Sequence, residues 1–182
     1  MWKEDGTKGV PGTRHQEKVL VIDTLEKPGI EDWHQLFPDA EIIGTRAYQI
    51  HACVGCNSCW IKTPGKCAIR DDYEMIFQKI LLADRVVFVA EEKLGMVTYR
   101  LKNIIDRMIA IDVPFTCICD GQARHAPRYD KRWKLMLLVP ESERMEYLGK
   151  WMQRVAINFH SDSLGAYKIS DKEGIEHALY HI

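Results

Sequence analysis

The sequence predicts an α/β domain in which helices cover both faces of a five-stranded parallel sheet. Short apolar runs rich in β-branched residues recur along the chain, as in strands that are buried on both faces. Segments with helical spacing of apolar residues lie between these runs, and no internal repeat interrupts the alternation. The predicted strands cover residues 18–23, 41–47, 85–90, 134–139 and 164–169.

Helices are expected in the segments between the strands. Residues 97–111 carry the most regular apolar stripe, with side chains recurring at helical spacing. Pro28 suits the first turn of a short helix, and Asp71 followed by Glu74 resembles a capping box. Asp171 is placed to cap a short closing helix. The predicted helices before it cover residues 26–36, 71–84, 97–111 and 141–159.

The alternation of strands and helices determines the expected topology. Strand–helix–strand units form parallel pairs with right-handed crossovers, which place helices on both sides of the sheet. Five strands at this spacing suit the flavodoxin-like order 2-1-3-4-5, in which ligands bind beyond the carboxyl ends of the strands. The segments that follow these ends are residues 24–30, 47–67, 90–98 and 140–143.

Length and charge restrict the classes of protein and partner. The chain has 182 residues, with 25 Lys and Arg against 26 Asp and Glu, which suits one globular domain with a substantial core. Its formal net charge of −1 predicts neither a nucleic-acid nor a membrane partner, and no apolar run approaches the ~18 residues of a membrane span. We expect residues 1–16 to be a flexible extension and residues 17–182 a single domain. The lack of an apolar leader predicts a cytoplasmic protein whose cysteines are thiols or metal ligands.

Four of the six cysteines lie close together, at the predicted ligand-binding edge of the sheet. Cys53, Cys56 and Cys59 are spaced three residues apart, and Cys67 follows after a Pro-Gly turn. Thiols at this spacing can converge as a cubane iron–sulfur cluster requires, and Gly55 allows the loop a positive φ. Zinc is the competing metal, although it usually takes two separated Cys-x-x-Cys pairs. The remaining alternative is that these cysteines are small buried residues that bind no metal.

For the other two cysteines and for the residues beside the motif, we favour roles other than metal binding. Cys117 and Cys119 stand two apart on an extended chain, and we expect them to point to opposite sides and to form no ligand pair. His51 is more simply a structural residue, and Trp60 could either shield a cluster or pack in the core. The polar segment 120–132 is expected to be a solvated loop.

Three stretches of the chain resemble one known family. They are CVGCNSCWIKTPGKCAIRDDYEMI, ILLADRVVFVA and LGMVTYRLKNIIDRM, between residues 53 and 108. The chain is therefore identified as a member of the NADPH-dependent FMN reductase superfamily, and it most resembles the iron–sulfur flavoprotein branch. At the helix end Asp106-Arg107, we expect a structural or interface ion pair. The resemblance implies a flavodoxin fold, dimers or higher oligomers, FMN at the strand ends, and a [4Fe–4S] cluster on Cys53, Cys56, Cys59 and Cys67.

The loop after the first strand departs from the flavin-binding relatives. Relatives have a Ser/Thr/Gly-rich loop there, because the FMN phosphate needs several backbone N–H donors at a helix N-terminus. This chain has Glu26, which would repel phosphate, and Pro28, which lacks an N–H group. Only Thr24 and Lys27 suit an anionic ligand.

The loop after the third strand also departs from the family pattern. Gly95 and Thr98 stand where the family has Gly and Ser, so one close backbone approach and one hydroxyl are kept. Glu91 and Glu92 would place negative charge beside the flavin ring, and Lys93 replaces an aromatic residue. The resemblance thus places any retained FMN near Thr24, Lys27, Gly95 and Thr98.

Two functional hypotheses follow. The first is a redox protein, expected to act as an NAD(P)H-dependent FMN-type oxidoreductase, that moves electrons through the cluster and through FMN where it is retained. Its partners would be NAD(P)H or a redox protein, in a homo-oligomer or in a hetero-oligomer with a related subunit. The second hypothesis rests on the altered phosphate loop, and it is a flavin-less, non-catalytic subunit or scaffold of an oxidoreductase complex.

Overall fold

The computed structural model of the protein describes residues 17–30, 32–119 and 121–180. The extension predicted over residues 1–16 lies outside this part of the chain, and the single-domain assignment stays a prediction. The strands are β1 (Val19–Asp23), β2 (Glu41–Gly44), β3 (Arg85–Val89), β4 (Glu92–Lys93), β5 (Met96–Val97), β6 (Asp112–Cys119), β7 (Gln122–Pro127), β8 (Lys134–Val139) and β9 (Asp162–Lys168). The α-helices are α1 (Ser58–Ile61), α2 (Tyr73–Leu82), α3 (Tyr99–Arg107), α4 (Met145–Asn158) and α5 (Lys172–Tyr180), and two 3-10 turns cover Trp33–Gln35 and Met108–Ile111.

The five long strands form one parallel sheet in the order β2-β1-β3-β8-β9. Counted along the chain, this is the order 2-1-3-4-5, and the predicted flavodoxin-like α/β fold is confirmed. Every residue of β1 and β3 is buried, because both strands lie inside the sheet and are covered on each face.

Two apolar layers flank the sheet. On one face, α2, α3 and α4 pack through fully buried side chains that include Ile76, Leu101 and Met152. On the other face, α5 packs through Leu179 beside Trp33 of the segment between β1 and β2. No helix in the described part of the chain is both long and apolar enough to cross a membrane.

The prediction of a helix over residues 26–36 is wrong. Only the 3-10 turn Trp33–Gln35 forms there, and the Asp32 side chain caps it by accepting a backbone hydrogen bond at 2.9 Å. The indole N–H of Trp33 donates to the Asp23 carboxylate at 3.2 Å. Because this bond satisfies two buried polar groups, the segment is held as a loop across the end of β1.

The capping box predicted at the start of α2 does not form. Asp72 occupies the N-cap position, but its side chain makes no capping bond and instead accepts from the Gln49 N–H at 2.7 Å. The Asp71 carboxylate accepts from the Tyr73 N–H at 3.1 Å. Glu74 forms an ion pair with Lys66 at 2.6 Å and does not reach back to the cap. The helix still begins within two residues of its predicted start, because its apolar stripe is buried against the sheet.

Two β-hairpins lie where the sequence predicts loops. β4 pairs with β5 directly after β3, and β6 pairs antiparallel with β7 between α3 and β8. Half of the segment 120–132, predicted as a solvated loop, is therefore strand. Hydrophobic periodicity does not reveal this hairpin, since β7 is polar and the large side chains of Phe115 and Ile118 in β6 are each 75% exposed.

Candidate functional site

The four-cysteine motif lies on a loop, residues 51–70, that packs against the C-terminal end of α3. Cys53 and Cys56 are exposed, whereas Cys59 and Cys67 are half-buried. The loop contains the single helical turn α1, which includes Cys59. Two thiols of the motif are therefore partly enclosed by protein and two face solvent.

The backbone of the motif turns sharply after Cys53. Gly55 has a φ of 64° and Asn57 a φ of 57°, both in the left-handed region that turns the chain back on itself. Ser58 follows directly, and hydrogen bonds from its side chain and backbone lower the pKa of the Cys56 thiol. A lowered pKa favours the thiolate, which is the form of cysteine that binds metals.

The other three motif cysteines act on the thiol of Cys59 through their charge. Burial raises the pKa of Cys59, and the negative charges of Cys67, Cys53 and Cys56 raise it further. Each of these three cysteines therefore lies within electrostatic range of Cys59. No three His, Cys, Asp or Glu side chains of the described residues stand close enough to hold a single metal ion. A cubane cluster has different requirements from a single metal ion. Each of its four irons takes one thiolate, so the four sulfurs stand farther apart than the ligands of one ion.

Arg107 anchors the ends of the cysteine loop to α3. Its guanidinium donates to both oxygens of the Asp71 carboxylate at 2.9 and 2.7 Å. It also donates to the carbonyl oxygens of His51 and Ile69 at 3.2 and 3.1 Å, so the residues before and after the motif meet at one side chain. The Arg107 side chain is 0% exposed and that of Asp71 is 2% exposed. The expected ion pair at this helix end is thus formed by Arg107 and is structural.

The carboxylate of Asp71 is ionised by its partners in spite of its burial. Burial alone would raise its pKa, but hydrogen bonds from Arg107 and His51 lower the pKa from 3.8 to about 2. His51 donates its backbone N–H at 2.9 Å and places its ring Nδ1 3.0 Å from the same carboxylate. The structural interpretation of His51 accordingly agrees with its contacts.

Trp60 joins the cysteine loop to the β6–β7 hairpin. Its indole N–H donates to the Ile109 carbonyl at 3.1 Å, and its ring packs against His125 of β7 with a centroid distance of 4.5 Å. The residue next to Cys59 is therefore held by two elements that lie outside the motif. Both proposed roles of Trp60, shielding and packing, are compatible with this position.

Two residues outside the motif hold the cysteine loop. Arg107, the last residue of α3, donates to the carbonyls of His51 and Ile69, and the Ile109 carbonyl accepts from Trp60. The placement of the cysteines at the carboxyl ends of the strands stays a prediction.

The loop after β1 has no backbone donor left for a phosphate over its first residues. The N–H and hydroxyl groups of Thr24 both donate to the Val89 carbonyl, at 2.9 and 2.7 Å. The Leu25 N–H donates to the Asp23 carboxylate at 3.0 Å and the Glu26 N–H to a carboxylate oxygen of Glu91 at 3.1 Å. Carboxylates of the protein thus occupy the anion-binding groups of this loop.

Further contacts close the same loop. The buried Asp23 carboxylate also accepts from Arg46 at 2.9 Å, and a Cβ atom on Gly29 would lie 2.5 Å from Leu25. Lys27 is exposed, and no α-helix begins after the loop to direct its N-terminus at an anion. The residues after β1 therefore do not fit the phosphate of FMN.

The loop after β3 keeps part of the character expected of a flavin loop. Gly95 has a φ of 84°, and its N–H donates to Glu92 at 2.6 Å. Arg144 fills the space beside it, 2.9 Å from where a Cβ would lie. The hydroxyl of Thr98, at the start of α3, is buried and has no hydrogen-bond partner among the described residues. Thr98 therefore keeps a free polar atom, whereas Thr24 does not.

Comparison with known proteins gives sequence relatives of one kind. No family model matches the chain. It is 29% identical over 113 residues to an iron–sulfur flavoprotein of Methanocaldococcus jannaschii, a match covering 60% of this chain and 53% of that protein. It is 36% identical over 77 residues to an iron–sulfur flavoprotein of Archaeoglobus fulgidus, which covers 42% and 37%. The matches thus span about half or less of the length of these curated relatives.

The fold has similar solved structures among flavin reductases. An azoreductase from Bacillus anthracis superposes with a TM-score of 0.55 at 14% identity, covering 90% of this chain and 97% of that one. The chain shares the flavodoxin-like fold of this flavin reductase. Its cysteine loop and its closed phosphate loop are the two features that bear on function.

Cys117 and Cys119 do not point to opposite sides, and the prediction that they do is wrong. Their Sγ atoms lie 2.9 Å apart. The physical reason is that alternate residues of a strand face the same side, and both cysteines belong to β6. The chain therefore carries a second group of thiols, outside the four-cysteine loop.

Asp112 is a buried acid that the sequence does not reveal. It is 3% exposed, and its Oδ1 atom has no hydrogen-bond partner among the described residues. Burial raises its pKa from 3.8 to about 7, although Arg128 lowers it in part. It lines a cavity of about 570 Å³ between α3, α4 and the β6–β7 hairpin, together with Trp151 and Arg154. In the sequence, Asp112 is a single acidic residue that follows an apolar helix, and nothing in this pattern indicates that its carboxylate is buried.

Proposed function

We propose that the chain is a redox protein that moves electrons through a [4Fe–4S] cluster held by Cys53, Cys56, Cys59 and Cys67. One observation carries the proposal: Cys53, Cys56 and Cys67 each lie near enough to Cys59 for their charge to raise the pKa of its thiol. The two sequence relatives are iron–sulfur flavoproteins, which supports the same cofactor. When bound, such a cluster supplies one-electron transfer.

The surroundings of the thiols suit a negatively charged group of this kind. Arg107 places a buried positive charge beside the loop, and its hydrogen bond to Cys67 contributes to the raised pKa of the guanidinium. The left-handed residues Gly55 and Asn57 turn backbone N–H groups in a tight loop, and such loops favour anions. Trp60 adds an aromatic wall next to Cys59. Zinc fits less well, because no three ligand side chains of the described residues form a single-ion site.

The flavin in this proposal belongs to a partner subunit. The donors of Thr24, Leu25 and Glu26 are occupied by Val89, Asp23 and Glu91, so the first residues of the described loop after β1 leave no donor for the FMN phosphate. Hydride transfer from NAD(P)H moves two electrons and is the chemistry of flavins. We therefore assign to this chain the one-electron segment of a flavin-dependent oxidoreductase, and assign NAD(P)H oxidation to the subunit that holds the flavin.

Anaerobic purification followed by iron and sulfide analysis tests the cluster. We expect about four irons and four sulfides per chain, with a broad brown absorption that bleaches on reduction. Far-UV circular dichroism would establish that the analysed protein is folded. A colourless, iron-free and folded protein after reconstitution with iron and sulfide would contradict the proposal.

A second candidate function is that of a flavin-less, non-catalytic subunit or scaffold. The observation that favours it is the closed phosphate loop, in which Glu91 occupies the Glu26 N–H. Titration with FMN at micromolar concentrations is expected to give no quenching of flavin fluorescence and no thermal shift. Saturable binding would remove this candidate. Iron content separates the two functions, because a scaffold needs no cluster.

A further inference from the structure

We propose that Cys117 and Cys119 form a second redox centre, a dithiol that exchanges with anionic low-molecular-weight disulfides. The two Sγ atoms lie 2.9 Å apart, which is longer than a disulfide bond but short enough that closing it needs only a small movement. Both thiols are half-buried. No residue of the four-cysteine loop lines the cavity beside them, so the pair forms a separate site.

The strand geometry explains why these two thiols meet. Alternate Cα atoms of a strand are roughly 6.7 Å apart, and disulfides tolerate separations up to about 6.8 Å. The β6–β7 register shifts between Asp112 and Thr116, and such an irregularity increases the local twist of a strand. The pair also lies at the end of the β6–β7 ladder, where Cys119 pairs with Gln122 next to the hairpin turn. The backbone at this end can adjust to the strain of a disulfide between alternate residues of one strand.

A cavity beside Cys119 gives a disulfide access to the pair. Its volume is about 440 Å³, and Arg124, Arg132 and His160 are among the residues that line it. Arg124 also pairs across the ladder with Cys117, and its charge acts against the rise in the pKa of that thiol. Arg132 forms an ion pair with Asp162, which also lines the cavity. The two guanidinium groups suit a disulfide that carries carboxylates, such as glutathione disulfide.

The positions of the two thiols assign their order of reaction. Cys119 lines the cavity and Cys117 does not, so Cys119 attacks first. The hydrogen bond with Cys119, followed by burial, raises the pKa of Cys117, which favours the thiol form of Cys117. Cys117 is therefore the resolving thiol.

The exchange balances in two steps. The Cys119 thiolate attacks one sulfur of the small disulfide, forms a mixed disulfide and releases one thiolate. Cys117 then attacks the Cys119 sulfur, the protein disulfide forms, and the second small thiol leaves. The two protein thiols lose two electrons, the small disulfide gains them, and the two thiol protons end on the two released small thiols.

Peptide mapping across a series of glutathione redox buffers tests the site in the full-length protein. Trypsin releases Cys117 and Cys119 together in the peptide 108–124, and the four motif cysteines in peptides 47–62 and 67–70. We expect the peptide 108–124 to lose both alkylatable thiols in one step, in buffers in which the motif peptides remain alkylatable. If this peptide keeps both thiols until the motif cysteines are oxidised, the proposal is overturned.

Two single variants test the order of attack. Cys117→Ser leaves the attacking thiol without its partner, so a stable glutathione adduct should accumulate on Cys119. Cys119→Ser should give a much slower adduct on Cys117. Equal adduct formation in the two variants would refute the assigned order and the role of the cavity. Because the readout is the thiol state of one peptide, it is independent of iron content and of FMN binding.

Discussion

The Cys59→Ala variant should lose nearly all of the iron and sulfide that the wild-type chain binds under anaerobic reconstitution. Cys59 is half-buried, and the other three motif thiols each raise its pKa by their charge. A cubane cluster that lacks one of its four thiolates is no longer held. The loss should exceed the roughly 10- to 100-fold effect typical of removing a neighbour that merely hydrogen-bonds to a metal ligand. Iron and sulfide per folded chain are the measured quantities.

A matched control uses the cysteines outside the loop. The double variant Cys117→Ala/Cys119→Ala removes the same number of thiols or more, yet its iron content should equal that of the wild type. Circular dichroism of each variant establishes that it is folded. Undiminished iron in the Cys59→Ala protein would exclude the four-cysteine cluster, whereas loss of iron in the double variant would move the site to the hairpin.

The Arg107→Met variant should lose about 3–5 kcal/mol of unfolding free energy, the usual cost of leaving one member of a buried ion pair without its partner. Arg107 and Asp71 are 0% and 2% exposed, so solvent cannot replace the missing charge. The carbonyls of His51 and Ile69 also lose their donor. Urea denaturation followed by circular dichroism measures the change.

The surface pair on the same helix provides the comparison for this variant. Lys102 and Asp106 lie 2.5 Å apart but are 39% and 45% exposed, so Lys102→Met should cost less than about 1 kcal/mol. Equal effects of Lys102→Met and Arg107→Met would show that the buried pair has no special role.

Acid titration gives a second readout of the Arg107–Asp71 pair. The pKa of Asp71 is about 2 in the folded chain and 3.8 as its ordinary value. The unfolded chain therefore takes up more protons as the pH falls from about 4 to about 2, and the contribution of this pair to stability is lost over that range. In Arg107→Met this acid dependence should be smaller, because the hydrogen bond that lowers the pKa most is lost while those from His51 and Tyr73 remain.

The sequence predicts well those elements whose apolar pattern alone decides which side chains are buried. β1 and β3 are apolar at nearly every position, and such runs are buried whatever packs on them. α3 carries a stripe that repeats every three or four residues, so Leu101 and Ile104 face the core for any sheet beneath them. The helix expected over residues 26–36 fails, because the bond between Trp33 and Asp23 competes with local propensity.

Several features of the candidate site can also be recognised from the sequence. The cysteine spacing and the left-handed residue Gly55 are local features, and the sequence alone indicates a metal-binding loop and an altered phosphate loop. Cys117 and Cys119 are equally local, and strand alternation alone would have placed them on one side.

The sequence by itself thus determined the flavodoxin-like sheet order, the resemblance to iron–sulfur flavoproteins and the set of four thiols, because these depend on residue types and spacings along the chain. Only the tertiary structure decided what those groups touch. Arg107 reaches Asp71 across 36 positions, and Glu91 closes the phosphate loop from 65 positions away. Ion pairs and hydrogen bonds act over a few ångströms in space, and their partners are known only once the fold has brought distant residues together.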